Sequence, residues 1–371
     1  MTLLPSLSAL KRYSLLIPEA LIGGPSYARY MFWSKCSKRL DPKTIWDKFT
    51  KPANPLYEAL LTHYPPGFAR QMISDIYVAQ LDRIAGVSQH YDISNDFYQL
   101  FLDQSYMFYT CADFLNSTDT LEEAQENKAN YLLQLIDPQA GESILDVGCG
   151  WGSMMKKIYD TTGDAENLIG YTLSSEQKSF IESTYGFNVE YKDFVTANYK
   201  PQSLDKIYSI GAVEHIPKAQ LFSVAQQFAE AIRPTGRIVH HFFCQLSETL
   251  PARLLAAADV FPGAELASLR QHLDTFERAG LQVRHHSFHD YRPTLEAWFN
   301  RLVAHETEAI RLVGLQNYNK YLCYLAEAWR LFENRDLVLT RFLLQRQDAP
   351  VKWTTSVPRA TETAIYQPVP N

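Results

Sequence analysis

Ser143-Ile-Leu-Asp-Val-Gly-Cys-Gly-Trp-Gly152 combines an apolar strand pattern, an acidic residue near its end and three glycines at alternate positions. Lacking a Cβ, glycine lets the backbone turn sharply and pass close to a ligand. A helix that starts beyond such a turn presents unpaired N–H groups and the positive end of its dipole. The segment predicts a strand, a ligand-binding turn and a helix in succession.

Working outward, short apolar runs at 168–171, 188–191, 206–210 and 237–243 alternate with helical stretches near 174–185 and 219–232. Such alternation implies crossover connections between parallel strands. Two more strand patterns, 282–288 and 337–344, bring the count to seven. The predicted fold is α/β, with a doubly wound, mostly parallel seven-stranded sheet. Helices are expected near 293–312 and 317–333. Residues 245–280, Ala/Leu-rich, interrupt the alternation at the carboxyl ends of the strands, where open sheets bind ligands, and are expected to form a helical lid over the active site.

Residues 1–85 contain Pro5, Pro18, Pro25, Pro42, Pro52, Pro55, Pro65 and Pro66, each expected to end a periodic run. They predict a helical N-terminal accessory region of short helices, before a main domain at 86–346. The tail 347–371, with four prolines and few large apolar residues, is expected to be flexible.

With 46% hydrophobic and 20% charged residues over 371 positions, the chain has the apolar material for a large core and lies far from disordered compositions. Its net charge of -6 is uneven: residues 1–85 hold 11 Lys/Arg against 6 Asp/Glu, the remainder 24 against 35. A cation deficit in the main domain excludes a nucleic-acid partner, which needs clustered Lys/Arg. The cationic front suits either an anionic membrane surface or an ordinary solvated face. The run Leu15–Ile22 is broken by Pro18 and Glu19, and Lys11 and Arg12 fall where a signal peptide would be apolar. No spanning segment is expected, and the location implied is cytoplasmic with at most peripheral membrane contact. Five scattered cysteines, 36, 111, 149, 244 and 323, read as reduced thiols with no metal site.

A dinucleotide would require Gly-x-Gly-x-x-Gly and an acid about 20 residues later. This chain has Gly-x-Gly-x-Gly, and its second strand ends Gly170-Tyr-Thr172. The sequence Leu-Asp-x-Gly-Cys-Gly-x-Gly resembles instead the cofactor loop of S-adenosylmethionine-dependent transferases. Gln89-His-Tyr-Asp-Ile-Ser-Asn-Asp-Phe-Tyr98, Met107-Phe-Tyr-Thr-Cys-Ala-Asp-Phe114, Thr120-Leu-Glu-Glu-Ala-Gln125, Gly170-Tyr-Thr-Leu-Ser-Ser-Glu-Gln177 and Ser209-Ile-Gly-Ala-Val-Glu-His215 follow in the order of the cyclopropane fatty acid synthase family. The chain resembles that family, with its mycolic acid cyclopropane synthases and its more distant coclaurine-type N-methyltransferases, over roughly 86–346.

The resemblance implies the class I methyltransferase, Rossmann-like form of the fold and S-adenosylmethionine as cofactor. It places the cofactor against Tyr109, Thr110, Asp146, Gly148, Gly150, Thr172, Leu173, Gln177, Asp193 and Phe194, with Thr110 where relatives carry Ser. It further implies a bicarbonate ion, used as base, held by Cys111, Glu214, His241 and Tyr291 and by the backbone of Phe243. Taken singly, Gln177 also suits a first helical turn, Phe194 a core, Cys111 a small buried hydrophobe, Tyr291 a rim and His241 a core histidine. His240 and His241 face opposite sides of a strand, so one alone can reach the site; the family pattern selects His241, and gives His215 a loop-supporting role.

The implied activity is one-carbon transfer from S-adenosylmethionine to the double bond of an unsaturated lipid or fatty acyl chain, giving a cyclopropane or a methyl branch. The alternative is N- or C-methylation of a small amphipathic metabolite. Phe261-Pro-Gly-Ala-Glu-Leu-Ala267 departs from the Phe-Pro-Gly-Gly-x-Leu-Pro of lipid-acting relatives, and His240-His-Phe242 resembles the N-methyltransferase branch. Expected partners are thus a lipid or small-molecule acceptor and no nucleic acid, with a homodimer left open.

Overall fold

The computed structural model describes residues 30, 32–51, 95–246 and 266–350. The earlier helical expectations for the rest of 1–85, the central part of the lid and the Phe261–Glu265 motif, and the tail from 351, lie outside the described residues.

Seven strands form one sheet: β1 (Ile144–Val147), β2 (Leu168–Thr172), β3 (Asn188–Tyr191), β4 (Leu204–Ile210), β5 (Ile232–Gln245), β6 (Leu281–His289) and β7 (Leu337–Arg346). Their order is β3-β2-β1-β4-β5-β7-β6, with β1 to β5 parallel and β7 antiparallel to both neighbours. This is the predicted doubly wound sheet. All four residues of β1 are buried, as a central strand covered on both faces requires. From β1 the strands are added first on one side (β2, β3) and then on the other (β4, β5), and this change of winding between β1 and β4 opens a crevice at their carboxyl ends.

The helices of the described chain are α1 (Pro42–Thr50), α2 (Asn95–Gln99), α3 (Leu121–Ile136), α4 (Ser153–Thr162), α5 (Ser175–Tyr185), α6 (Leu221–Ala231), α7 (Leu269–Arg278), α8 (Arg292–Ala304) and α9 (Glu306–Glu333). Pro42 begins α1 at its first turn, where its missing N–H costs nothing, and Asp41 caps that turn by accepting from Thr44 N at 2.9 Å. Helix α1 joins the core of the helical layer: Trp46 meets Phe299 at 4.7 Å and Trp329 at 5.8 Å, and Ile45 is fully buried. The predicted pair 293–312 and 317–333 divides earlier, after Ala304, and the expected gap survives as a break at Gly314 (φ 79°) inside α9.

Helix α3 escaped the sequence reading although Thr120 and Glu123 form a reciprocal capping box. Of the lid expected at 245–280, residues 247–265 lie outside the described residues. Its helix, α7, packs against α6 and β6 as an ordinary flanking helix, opened by a Ser268/Gln271 capping box.

Gly148, Gly150 and Gly152 all have left-handed φ, of 77°, 54° and 79°. A Cβ on Gly148 would lie 2.6 Å from Ala212 Cβ, whereas one on Gly150 meets no atom of the described residues within 4 Å. The two glycines should therefore separate by stability. Gly150→Ala costs about 1–2 kcal/mol for left-handed backbone alone; Gly148→Ala adds about 1–3 kcal/mol of overpacking. Urea unfolding of both variants checks this, and equal midpoints would contradict the packing at Ala212.

Candidate active site

The turn after β1 forms one wall of a cleft of about 950 Å3, part of it open solvent. Tyr109, Thr110, Asp146, Gly148, Gly150, Thr172, Leu173, Gln177 and Phe194 line it, together with Tyr171, Lys192 and Met107. Asp193 is not brought into this wall; its Oδ1 accepts from Val195 N at 3.1 Å and shapes the turn after β3.

Thr172 Oγ1 accepts from Ser174 N at 3.1 Å and donates to Gln177 Oε1 at 2.8 Å, which fixes the Gln177 amide at the start of α5. Helix α4 begins at Gly152 without a side-chain cap, so its first N–H groups are left for a ligand or solvent. Burial pushes the Asp146 carboxyl up to about 7, with Tyr208 beside it pulling the other way.

A second, smaller cavity of about 380 Å3 adjoins the first and is lined by Glu214, His241, Phe243, Tyr291, Tyr324 and Leu339. Tyr109, Thr110, Gly211 and His215 line both, so the two spaces share one wall. Glu214 lies in a single 3-10 turn after β4, reached through Gly211, whose φ is 78° and whose Cβ would lie 2.6 Å from Thr110 Cγ2. His241 and Phe243 point from alternate positions of β5 to the same side. His240 faces the other way, bonded to Ser209 Oγ at 2.9 Å and stacked on Phe276.

Cys111 is fully buried but does not line either cavity. Its thiol lies against the carbonyl oxygens of Ala112 (3.4 Å) and Asp290 (3.5 Å), and burial and Asp113 push it well up, so it stays protonated. His215, expected only to support the loop, is in the shared wall.

Two polar atoms in the smaller cavity stand out. Glu214 Oε2 and His241 Nε2 are buried and make no hydrogen bond among the described residues. A buried polar atom without a partner costs roughly 1–3 kcal/mol, so a site that keeps two of them facing one space is suited to a polar ligand. Burial raises the Glu214 carboxyl to about 8, leaving it uncharged near neutral pH and able to donate as well as accept. His241 is pushed well below its ordinary value by burial and then by Arg341, so it too is neutral. Tyr291 lines the same cavity.

Sequence reasoning missed three buried charges behind this wall. Arg341 of β7 gives Nε to His241 Nδ1 at 2.9 Å and both terminal nitrogens to Asp113, at 2.7 and 2.9 Å. Lys128 of α3 donates to Thr110 Oγ1 at 2.9 Å and sits 3.2 Å from the centre of the Phe108 ring. A signal existed: Arg341 is one charge inside the apolar strand Leu337-Val-Leu-Thr-Arg-Phe-Leu-Leu344, and Lys128 falls three residues after Gln125 on one helix face.

A model of the mycolic acid cyclopropane synthetase family matches residues 79–342. Cyclopropane mycolic acid synthase 2 of Mycobacterium leprae is 33% identical over 293 residues, covering 70% of this chain and 93% of that protein. The solved cyclopropane synthase MmaA2 from Mycobacterium tuberculosis superposes with a TM-score of 0.66 at 27% identity, over 72% of this chain and 99% of its own. The mycolic acid cyclopropane synthase CmaA1, complexed with SAH and CTAB, gives 0.64 at 26% identity, over 71% and 99%.

The buried carboxyl gives a stability prediction. An ordinary glutamate ionises near 4.5, and Glu214 is raised to about 8. Across that window the folded chain keeps a proton that the unfolded chain releases, so this residue's contribution to stability falls as pH rises. Relative to Glu214→Gln, the wild-type melting temperature should decline between about pH 5 and pH 8; parallel curves would show that Glu214 ionises without penalty.

Proposed function

Because this chain belongs to the mycolic acid cyclopropane synthetase family and is thereby an S-adenosylmethionine-dependent methyltransferase, we propose that it transfers a one-carbon unit to the double bond of an unsaturated lipid or fatty acyl chain. The observation that carries this reading is the shared wall. A cleft suited to a nucleoside donor opens, through Tyr109, Thr110, Gly211 and His215, beside a cavity whose unpartnered polar atoms are Glu214 Oε2 and His241 Nε2.

The cofactor's residues fit it. Left-handed glycines 148 and 150 would let its aminoacyl end lie against the backbone, and Thr172, Leu173, Gln177 and Phe194, which line the same cleft, offer polar and apolar contacts to the rest of it. That CmaA1 is solved with SAH supports the same assignment. When bound, S-adenosylmethionine supplies a sulfonium methyl, an activated electrophile.

The protein must align an acceptor with that methyl, exclude water and direct a proton afterwards. Phe243, Tyr109, Tyr291 and Tyr324 line the acceptor side, and aromatic rings attract the positive charge that methyl transfer leaves on an alkene. The Glu214 carboxyl, uncharged near neutral pH, can donate its proton in a hydrogen bond to an anion held beside it. Ring closure needs a base for the new methyl group. A bicarbonate ion fits the donor set of Glu214, His241 and Tyr291 and, when bound, supplies that base. Cys111, whose thiol is turned to backbone carbonyls, is assigned no contact with it.

One observation favours the alternative, methylation of a small amphipathic amine or carbon acceptor: the described cavity is a small cup of about 380 Å3, where aromatic rings and a carboxyl would also suit an ammonium group. Mass spectrometry separates the two. Incubation with S-adenosylmethionine and unsaturated phospholipid should add one CH2 to the acyl chain and remove its double bond; transfer only to amines in a parallel panel would overturn the lipid reading.

Glu214→Gln should leave donor affinity by calorimetry within about twofold of wild type while lowering turnover by about 100-fold or more, the range for a lost acid–base group. Wild-type turnover would remove Glu214 from the chemistry. Gly150→Val should abolish donor binding, because Gly150 lines the cleft and its added side chain would meet no atom of the described residues within 4 Å to hold it elsewhere.

A further inference from the structure

Strand pairing sets three polar residues in one row across the sheet. His241 of β5 is the direct partner of Arg341 in β7, and Arg341 is the direct partner of Ser287 in β6. Arg341 has no exposed surface, and all three of its donating nitrogens are engaged: Nε on His241 Nδ1, the other two on Asp113. Its guanidinium also lies 4.8 Å from the centre of the Tyr131 ring. Asp113 is itself held from a second side by His289 Nδ1 at 3.1 Å.

From this arrangement we infer that Arg341, anchored by Asp113, is a positioning residue that locks the His241 imidazole as its Nε2–H tautomer, so that the cavity meets this histidine only as a hydrogen-bond donor. A guanidinium carries five N–H groups and no acceptor. The nitrogen facing it must therefore offer a lone pair, and in a neutral ring the proton is then on the other nitrogen, Nε2, the one facing the cavity without a partner. Charging the ring would place a second N–H against Arg341 and lose the bond. His241 is thus excluded as the base and fixed as a donor to an oxygen of the cavity's ligand.

The hydrogen bonds behind Asp113 run on through His289 Nε2 to Ser287 Oγ (2.9 Å), Tyr131 OH (3.2 Å) and His285 Nε2 (2.6 Å), toward the partly exposed edge of the sheet. They do not make a proton path to the cavity, because a proton reaching or leaving His241 Nδ1 by this route would have to deprotonate an arginine. Their consequence is orientation: His289 gives its Nδ1 proton to Asp113, and Ser287 supports its other nitrogen.

The lock itself depends on geometry alone, while its effect on turnover rests on the reading of the cavity as the reaction chamber. Long-range proton–nitrogen NMR correlations of the full-length protein labelled at histidine nitrogens, with His241 assigned by its loss in His241→Gln, should show protonated Nε2 and bare Nδ1 across neutral pH. A protonated Nδ1 overturns the inference. Arg341→Met alone strands a buried carboxylate, so the charge-neutral pair Asp113→Asn with Arg341→Met is the informative variant. In it His241 should show mixed tautomers, and turnover should fall about 10–100-fold, as when the outer partner of a functional histidine is removed. An unmoved tautomer in that variant also overturns the lock. A moved tautomer with wild-type turnover upholds the lock and removes the cavity from the chemistry.

Discussion

A guanidinium with no exposed surface can keep neither water nor an empty neighbourhood, and Arg341 is in that position. Its bidentate partner, Asp113, belongs to the irregular segment between α2 and α3, whereas Arg341 belongs to the sheet. The pair therefore ties the segment that carries Tyr109 and Thr110 to the strand next to β5. Both cavities depend on this attachment, since those two residues form half of the wall they share. An intact buried ion pair adds little net stability over an apolar substitute, but removing one partner costs about 3–5 kcal/mol. Its role here is to specify where the segment lies.

Helix α3, whose Tyr131 ring centre lies 4.8 Å from the same guanidinium, also holds this segment. Gln125 donates to the carbonyls of Phe108 (3.3 Å) and Thr110 (2.9 Å), and Lys128, one turn on, donates to Thr110 Oγ1 while covering the Phe108 ring. Burial lowers Lys128 well below its ordinary value, and Asp103 opposes that shift. Asp103 in turn takes the backbone N–H groups of Tyr106 and Phe108. The stretches Thr120-Leu-Glu-Glu-Ala-Gln125 and Met107-Phe-Tyr-Thr-Cys-Ala-Asp-Phe114 are thus two halves of one contact: a helix and the irregular segment it pins.

What could be read from sequence was what repeats or is local. Seven apolar runs and their alternation with helices gave the sheet, because burial on both faces writes itself as continuous apolar strands. The period of two separated His240 from His241, and the structure turns them to opposite faces. What could not be read was register. Nothing local to Arg341 says that it will face His241, because that pairing joins residues a hundred positions apart across an antiparallel strand. A lysine in the middle of α3 likewise reads as solvated until the segment above it is in place. Nor does sequence show what surrounds Cys111 and Asp193, where the thiol lies against a backbone carbonyl and the carboxylate accepts from Val195 N in the turn after β3.

Charge balance constrains which acceptor chemistry the cavity can complete. Behind its wall, Arg341 is paired with Asp113, while burial lowers Lys128 and raises Asp103 opposite it, so within the smaller cavity Glu214 is the carboxyl whose charge is left to vary. A sulfonium cation next door favours a negative charge in the smaller, more enclosed cavity. If Glu214 supplies it, the site is balanced without another ion, which suffices for an acceptor that keeps the positive charge, such as an amine. If an oxyanion supplies it, Glu214 must stay protonated, since two adjacent like charges push the carboxyl further up. That second state is the one an alkene needs, because its cation must lose a proton to a base at the reacting carbon. The neutral, donor-only His241 favours it: an N–H aimed into the cavity stabilises an oxyanion there, and gives nothing to an ammonium, which needs acceptors.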